Sequence, residues 1–174
     1  CSATTSMSDN TAANLILRHT GGPQGFTTFM RSIGDAVTRL DRYEPELNDV
    51  GPGEERDTTT PRAAARSLGS LLLGNSLSTD SREQLKAWLI NNKVGGPLLR
   101  ADRTGSGGYG SRGVIAVIWP QGSNAPTSEP VIVAVYLTGT TLTLEERDAT
   151  IAEVGAALVT DLKALEQHSS TQRH

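Results

Sequence analysis

Three short motifs in this chain carry side chains that could act on a substrate. They are Ser-Asp-Asn at residues 8–10, the charged stretch Arg-Tyr-Glu-Pro-Glu-Leu-Asn at residues 42–48, and Arg-Thr-Gly at residues 103–105. Hydroxyls and carboxylates can move protons, and guanidinium groups bind carboxylates through paired hydrogen bonds. Each motif alone is weak evidence, because Ser-Asp-Asn is also an ordinary helix cap and a Glu in a charged loop is usually just solvated. Because all three motifs occur in order in one chain, together they are stronger evidence of a functional site than any one of them alone.

The first half of the chain predicts helices around one long loop. Residues 11–19 and 23–33 predict two helices separated by Gly21 and Gly22, the second with an apolar stripe at helical spacing. Thr60-Pro61 and Ser78 are good starts for two more helices, which we expect to end near Leu73 and Lys93. Residues 39–57 are dense in charge, proline and glycine. A loop of this length in a compact domain is typically functional or disordered, and we expect an omega-type loop there.

The pattern changes after residue 100. Residues 103–111, 114–119 and 131–137 are bounded by glycine or proline and predict three antiparallel strands. Thr143 and Glu146 form a capping box that starts a last helix. We expect its core face to consist of Ile151, Val154, Leu158, Leu162 and Leu165. Helices followed by strands indicate an α+β fold, with a helical subdomain at 1–100 and a sheet covered by the C-terminal helix at 101–174.

Composition excludes several kinds of partner. The 174 residues carry a net charge of −3 without a basic run, so we expect no nucleic acid. No apolar stretch is long enough to span a bilayer, so we expect no membrane insertion. The histidines have no metal-ligand spacing, and we expect neither a metal nor a cofactor. Cys1 is the only cysteine, and it fits either a buried apolar residue or half of a disulfide whose partner lies outside these residues.

The motifs together resemble the class A serine β-lactamases, whose signature set is Ser-x-x-Lys, Ser-Asp-Asn and Lys-Thr-Gly. The likeness covers nearly the whole chain, including residues 7–14, 42–48, 56–59, 96–100, 105–113 and 145–147. It implies a β-lactamase/transpeptidase-like fold and a periplasmic or secreted bacterial hydrolase that opens penicillins through a serine acyl-enzyme. Such an enzyme confers antibiotic resistance. Arg103, where the motif usually has Lys, resembles the carbenicillin-hydrolysing branch.

The resemblance implies a role for each residue on the catalytic side. Ser8 would pass a proton toward the leaving ring nitrogen. Glu44 would activate the water that deacylates the enzyme, and Asn48 would help to hold that water. Asn10 would bind the side-chain amide of the substrate, while Asp9 would support the turn.

The strand motif would anchor the substrate. The resemblance makes Arg103 and Arg112 the positive charge for the substrate carboxylate, with a hydrogen bond from Thr104. The backbone N–H of Ser106 would be one oxyanion donor, and Gly105 would allow the substrate to approach the strand closely.

Three further residues would support the loop. The resemblance implies that Arg42 and Asp57 pair across the neck of the loop. The alternative is an exposed, weak ion pair. The bond before Pro45 is a candidate for the cis form, which costs little before proline.

Two features depart from the family pattern. The chain contains no Ser-x-x-Lys, and the family order places that motif before Ser8. We therefore expect a partial sequence that does not acylate by itself. The link from Arg100 to Arg103 is also shorter than the family suggests, through either a deletion or residues left out of the sequence.

Two other functions stay open. A penicillin-binding DD-peptidase shares the acylation apparatus, but the loop bearing Glu44 argues against it because such a protein lacks the deacylating base. A catalytically inactive fragment, or one half of a split enzyme, agrees with the missing Ser-x-x-Lys. For the complete protein we expect a monomer that binds β-lactam antibiotics such as penicillins and carbenicillin. For the chain alone we expect poor solubility, because an open sheet edge and exposed apolar surface promote association.

Overall fold

The computed structural model describes residues 2–91, 101–118 and 130–171. Along the chain these residues form α1 (Ser2–Met7), α2 (Asn10–His19), α3 (Gly22–Ser32), a short 3₁₀ helix (Glu46–Asn48), α4 (Pro61–Leu72), α5 (Thr79–Ile90), β1 (Ala101–Ser106), β2 (Arg112–Ile118), β3 (Val131–Leu137) and α6 (Leu144–Thr171). Helices precede a three-stranded antiparallel sheet and a final helix, so the predicted α+β class is confirmed. The predicted helix end at Lys93, the family-like stretch at 96–100 and the strand end at Trp119 lie outside the described residues.

Side-chain caps fix where the helices of the first half begin. Asp9 accepts the N–H of Ala12 at 2.7 Å and is the N-cap of α2. Thr60 and Ser78 cap α4 and α5 in the same way, as their sequence positions predict. Each such cap contributes about 1 kcal/mol to helix stability. The start of α2 is therefore set by the same motif that carries Ser8.

The strands run antiparallel in the order β1-β2-β3, with Thr104 opposite Val114 and Val114 opposite Val135. The predicted first strand was too long, because β1 ends at Ser106 and residues 107–111 form a turn. In that turn Tyr109 has φ +52° and Gly110 has φ +65°. Two consecutive left-handed residues cannot continue a strand but match the twist of a tight hairpin.

The main core lies between α4, α5 and the sheet. Leu68 and Leu72 of α4 meet Leu89 of α5 and Val117 of β2, and all four are buried. Partly buried neighbours complete this cluster: Leu85, Ile115 and Ile132. Burying one such side chain contributes roughly 1.5–3 kcal/mol. This packing fixes the sheet, and hence the motif on β1, against the helices.

The last helix, α6, begins at a capping box and carries a half-buried stripe of apolar side chains. The predicted capping box forms, since Glu146 Oε2 accepts the N–H of Thr143 at 2.7 Å and Thr143 Oγ1 accepts the N–H of Glu146 at 3.2 Å. Val154 is 45% exposed, so its predicted place in the core was wrong. The half-buried stripe runs through Ile151, Leu158 and Leu162, and Val154 lies at its edge. The side chain of Leu165 lies outside the described part of the chain.

Candidate active site

A buried ion pair closes the neck of the charged loop at residues 39–57. Arg42 Nε lies 2.6 Å from Asp57 Oδ2, with side-chain exposures of 17% and 1%. Asp57 Oδ1 also accepts the backbone N–H groups of Asp41 at 2.7 Å and Arg42 at 2.9 Å. This burial and these added hydrogen bonds set the pair apart from a weak surface ion pair. The neck is therefore a fixed point of the loop.

A second ion pair at the neck, between Arg39 and Asp41, is hydrogen-bonded to Asp57 of the first. Arg39 donates from Nε and Nη2 to the two carboxylate oxygens of Asp41 at 2.9 and 2.6 Å. The hydrogen bond from Arg39 lowers the pKa of Asp41. Asp41 Oδ2 in turn accepts the backbone N–H of Asp57 at 3.0 Å, so both acids join the two sides of the neck. Further along the loop, hydrogen bonds from Arg56 lower the pKa of Glu54 to about 2.

Glu44 and Asn48 lie together on the loop. The Glu44-Pro45 bond is cis, and the 3₁₀ helix follows directly. Asn48, the last residue of that helix, donates from Nδ2 to Glu44 Oε2 at 2.5 Å. A carboxylate beside an amide offers a neighbouring water both a proton acceptor and a hydrogen-bonding partner. The loop thus presents the pair of groups that water activation needs.

Asn14 was missed by the sequence analysis as a residue of the site. Its Nδ2 donates to the carbonyl of Glu44 at 2.8 Å, and its Oδ1 accepts the N–H of Glu44 at 2.9 Å. Both hydrogen-bonding groups of the Glu44 backbone are therefore satisfied by one side chain of α2. A half-buried Asn inside a helix, where Asn is intrinsically unfavourable, was the signal that could have identified it.

Ser8 and Asn10 lie at the start of α2. Ser8 is in the left-handed region with φ +58°, and Asn10 is the first residue of the helix, with an exposed side chain. Asn14 stands about one helical turn further along and reaches the loop. The structure thus places Asn10 on the helix that holds the backbone of Glu44, and Ser8 directly before the N-cap of that helix. Neither is among the residues that line the cavity between loop and sheet.

That cavity has a volume of about 680 Å³ and opens between the charged loop and the strand motif. Its loop side includes Asn48 and Asp57. Four of the predicted substrate-binding residues form its sheet side: Thr104, Gly105, Ser106 and Arg112. The hydroxyl oxygen of Thr104 is buried and has no hydrogen-bond partner among the described residues. The volume falls within the range of small-molecule sites.

The turn after β1 attaches the loop to the sheet. The N–H of Gly108 donates to the carbonyl of Asn48 at 2.7 Å. A Cβ on Gly108 would lie 2.7 Å from the carbonyl oxygen of Val50, so the approach requires glycine. Through this contact, Asn48 of the loop and Ser106 of β1 face the same cavity. Arg103 lies on β1 opposite Ile115, and its side chain lies outside what the structure describes.

Arg112 is held by a partner that the sequence analysis did not single out. Its Nε donates to Asp148 Oδ1 of α6 at 2.6 Å. Its Nη1 lies 3.4 Å from both the carbonyl of Gly105 and the hydroxyl of Ser106. The guanidinium therefore bridges the last helix and the strand motif at the cavity wall.

The described residues hold no cluster of three or more His, Cys, Asp or Glu side chains arranged for a metal ion. Among the helices of the described chain, none combines the length and apolar character needed to cross a membrane.

Comparison with known proteins shows which family and which sequences this chain resembles. A model of the beta-lactamase enzyme family matches residues 1–162. The chain is 48% identical to the β-lactamase AER-1 of Aeromonas hydrophila over 167 residues, covering 91% of this chain and 53% of that protein. It is 46% identical to the β-lactamase PSE-4 of Pseudomonas aeruginosa, covering 91% of this chain and 56% of that protein. The chain thus spans about half the length of the curated relatives it matches.

Solved structures agree with the sequence relatives. The fold is similar to the crystal structure of the chromosome-encoded β-lactamase of Vibrio parahaemolyticus, with a TM-score of 0.86 and 46% identity over 94% of this chain and 64% of that chain. An ancestral class A β-lactamase gives a TM-score of 0.85 at 51% identity, over 92% of this chain and 64% of that one.

Proposed function

Because the chain belongs to the beta-lactamase enzyme family, we propose that the protein carrying it hydrolyses β-lactam antibiotics through a serine acyl-enzyme. The observation that carries the proposal is the contact between Glu44 Oε2 and Asn48 Nδ2 at 2.5 Å, on a loop attached to the strand motif through Gly108. This contact supplies the water-activating groups of a deacylation step. The same groups distinguish a hydrolase from a protein that stays acylated.

Deacylation would use the loop. Glu44 takes a proton from a water that Asn48 helps to hold, and that water attacks the acyl carbonyl. The bond between the acyl carbon and the serine oxygen then breaks, and the proton returns to that oxygen, which leaves the free serine and the opened product. The backbone of Glu44 is fixed by Asn14, and the neck of the loop is fixed by Arg42 with Asp57. Fixing the base before the reaction reduces the entropy lost in reaching the transition state.

Substrate anchoring would use the sheet side of the cavity. Arg112 lies at the cavity wall, and Thr104 has a buried hydroxyl with no partner among the described residues. A β-lactam carboxylate would supply a hydrogen-bond acceptor for the Thr104 hydroxyl and a further anion for Arg112, whose Nε already contacts Asp148. We assign the backbone N–H of Ser106 to the oxyanion, Gly105 to close approach and Arg103 to additional positive charge. Ser8 transfers a proton toward the ring nitrogen, and Asn10 holds the side-chain amide.

Acylation needs a nucleophile that these residues do not supply. No position in the sequence starts a Ser-x-x-Lys motif. We therefore propose that turnover requires a segment bearing this motif from outside the 174 residues, and that the chain alone is inactive.

The substrate class, the oligomeric state and the location of the protein are proposed on the basis of the family resemblance. We propose penicillins, including those of the carbenicillin type, as substrates, because Arg103 takes the place of the usual Lys. We also propose a monomer in the periplasm or outside the cell, where β-lactams reach a bacterium, and resistance to these antibiotics as the result.

The test is the fate of the acyl-enzyme in the complete gene product that contains this sequence. Benzylpenicillin is added to the wild-type protein and to Glu44→Gln, and intact masses are recorded over time. We expect Glu44→Gln to accumulate an adduct with the mass of the whole penicillin, while the wild type returns to its free mass. Glu46→Gln, an exposed neighbour on the same loop, is the matched control and should behave as wild type.

Two results would overturn the proposal. A wild-type protein that forms no adduct and hydrolyses no β-lactam would point to an inactive homologue. A wild-type adduct that persists as long as that of Glu44→Gln would point to a penicillin-binding peptidase.

A further inference from the structure

Tyr43, the residue before Glu44, packs on the corner where α2 meets α3. Cζ of Arg18, in the last turn of α2, lies over the Tyr43 ring at 5.8 Å from its centroid. The Tyr43 hydroxyl lies so close to Gly22, the first residue of α3, that a Cβ there would stand 2.8 Å from the hydroxyl oxygen. Gly22 is buried and Tyr43 is half-buried. The ring of Tyr43 is therefore held by both helices rather than pointing freely into solvent.

The same face of α2 holds Glu44 through another side chain. Asn14 and Arg18 are four residues apart, a spacing that places both on one face of a helix. Asn14 binds the N–H and the carbonyl of Glu44, and Arg18 contacts the ring of Tyr43. Two consecutive residues of the loop are thus held by two consecutive turns of one helix.

The backbone of Tyr43 extends this connection to Asn48. Its carbonyl accepts the N–H of Leu47 at 2.9 Å, and Leu47 is the middle residue of the 3₁₀ helix that ends at Asn48. A displaced Tyr43 would therefore disturb both groups of the candidate water-activating pair. Neither Arg18 nor Tyr43 is among the residues that line the cavity between loop and sheet, so their effect on a reaction there would be indirect.

We propose that Arg18 and Tyr43 are positioning residues for the candidate base: the guanidinium, stacked on the ring, holds the loop against α2 and keeps the carboxylate of Glu44 in place. The inference rests on the proposed function, in which Glu44 activates the deacylating water. A cation over an aromatic face is attracted by the electron-rich ring even at an exposed site. A cation in the last turn of α2 also interacts favourably with the helix dipole, but that interaction needs no aromatic partner.

Kinetics of the complete gene product separate positioning from a general loss of stability. Rapid-quench mass spectrometry with benzylpenicillin gives the rate at which the acyl-enzyme disappears, whereas kcat/KM reports acylation. We expect Tyr43→Ala to slow deacylation about tenfold or more with little change in kcat/KM, because small misplacements of a reacting group are costly. Arg18→Ala should slow deacylation about twofold to fivefold, the factor that an exposed cation–π contact supplies. Loss of folded protein would instead lower kcat/KM and leave the decay of the acyl-enzyme unchanged.

Three variants are controls. Tyr43→Phe keeps the ring beneath Arg18 and should deacylate as the wild type does. Arg66→Ala makes the same chemical change as Arg18→Ala at an exposed position of α4 and should leave deacylation unchanged. The double variant Arg18→Ala/Tyr43→Ala should be no slower than Tyr43→Ala, because the guanidinium acts through the ring. The inference is wrong if Arg18→Ala deacylates as fast as Arg66→Ala, or if Tyr43→Phe is as slow as Tyr43→Ala.

Failure of the proposed function would show itself separately, as a wild-type protein with no turnover of any β-lactam. Hydrogen–deuterium exchange of residues 43–48 then tests the positioning role without turnover. Faster exchange of this segment in Arg18→Ala and Tyr43→Ala than in Arg66→Ala would support the role of the pair, and equal exchange would overturn it.

Discussion

At the scale of single residues, Glu44 is held from two directions by side-chain amides. Asn48 contacts its carboxylate at 2.5 Å, and Asn14 satisfies both its N–H and its carbonyl. The sequence identified Asn48 because it lies in the same short motif. It did not identify Asn14: an Asn inside a helix is unusual, but its partner lies 30 positions away, and no local pattern shows which residue that is.

Replacing Asn14 by Ala removes two hydrogen bonds to the backbone of Glu44. We expect the free energy of unfolding to fall by about 1–3 kcal/mol, since each bond contributes roughly 0.5–1.5 kcal/mol. In a protein that turns over β-lactams, deacylation should slow more than acylation, because the base loses its fixed position. Urea unfolding and burst kinetics measure the two effects. Gln84→Ala, on the exposed face of α5, is the control, and equal stability of the two variants would contradict the role of Asn14.

Asp35 is a buried residue away from the site. Burial by itself raises its pKa, but hydrogen bonds from Ser67, Thr38 and Val37 outweigh this effect and bring the pKa to about 2. Ser67 Oγ donates at 2.6 Å and the N–H of Val37 at 2.8 Å. Since Ser67 belongs to α4, this carboxylate ties the chain after α3 to that helix.

The pH dependence of stability follows from that lowered pKa. A carboxyl whose folded pKa lies below its unfolded value of about 3.9 adds stability above that value, and the addition is lost as pH falls toward 2. We expect Asp35→Asn to cost about 2 kcal/mol at pH 7 and progressively less between pH 4 and pH 2. Thermal unfolding over this range gives the comparison. A difference from wild type that stays constant with pH would show that the charge of Asp35 does not stabilise the fold.

At the scale of elements, the charged loop is fixed at its neck and at its contact with the β1–β2 turn. The neck holds two ion pairs of different character. Asp57 is 1% exposed in its pair with Arg42, whereas Arg39 is 42% exposed in its pair with Asp41. Burial decides what each pair contributes, because water screens the exposed charges.

We therefore expect Arg42→Ala and Arg39→Ala to differ strongly. Removing Arg42 leaves Asp57 buried without its counter-charge, which costs about 3 kcal/mol or more. Removing Arg39 should cost less than about 1 kcal/mol. Hydrogen–deuterium exchange of residues 42–57 should rise sharply in the first variant and little in the second. Similar exchange in both would mean that the neck is not fixed by the buried pair.

The sequence predicted the elements well where a local signal exists. Helix starts at Asp9, Thr60 and Ser78 follow from capping chemistry, and β3 was predicted with its observed bounds. It placed the end of β1 five residues too late, at Ser111. The glycine-rich residues after Ser106 were predicted as strand, but the left-handed Tyr109 and Gly110 make a turn there. Such failures arise where backbone dihedrals or tertiary contacts, rather than periodicity, decide the structure.

At the candidate site, the contact between Arg112 and Asp148 could not be predicted from the sequence either. Asp148 is 36 residues away and belongs to the exposed, charged N-terminal part of α6, which resembles any solvated helix start. Resemblance to a family supplied a role for Arg112, but only the packing of α6 on the sheet shows what holds it. The roles assigned to Ser8, Asn10 and Arg103 stay predictions.

At the scale of the whole molecule, the chain brings together the loop and the strand motif but has no Ser-x-x-Lys. It spans about half of the relatives it matches, at 53–56% of their length. Large apolar side chains are exposed on several elements, among them Leu15 at 60% and Ile90 at 57%. Exposed apolar surface of this kind promotes association.

The central claim is that this chain carries the deacylating and substrate-anchoring side of a β-lactamase site and lacks the acylating side. Nitrocefin hydrolysis by the purified chain, alone and mixed with an N-terminal class A β-lactamase fragment that contains Ser-x-x-Lys, tests it most directly. We expect no hydrolysis by the chain alone and hydrolysis in the mixture, abolished by Glu44→Gln in this chain. Hydrolysis by the chain alone, or a mixture whose activity does not depend on Glu44, would contradict the account.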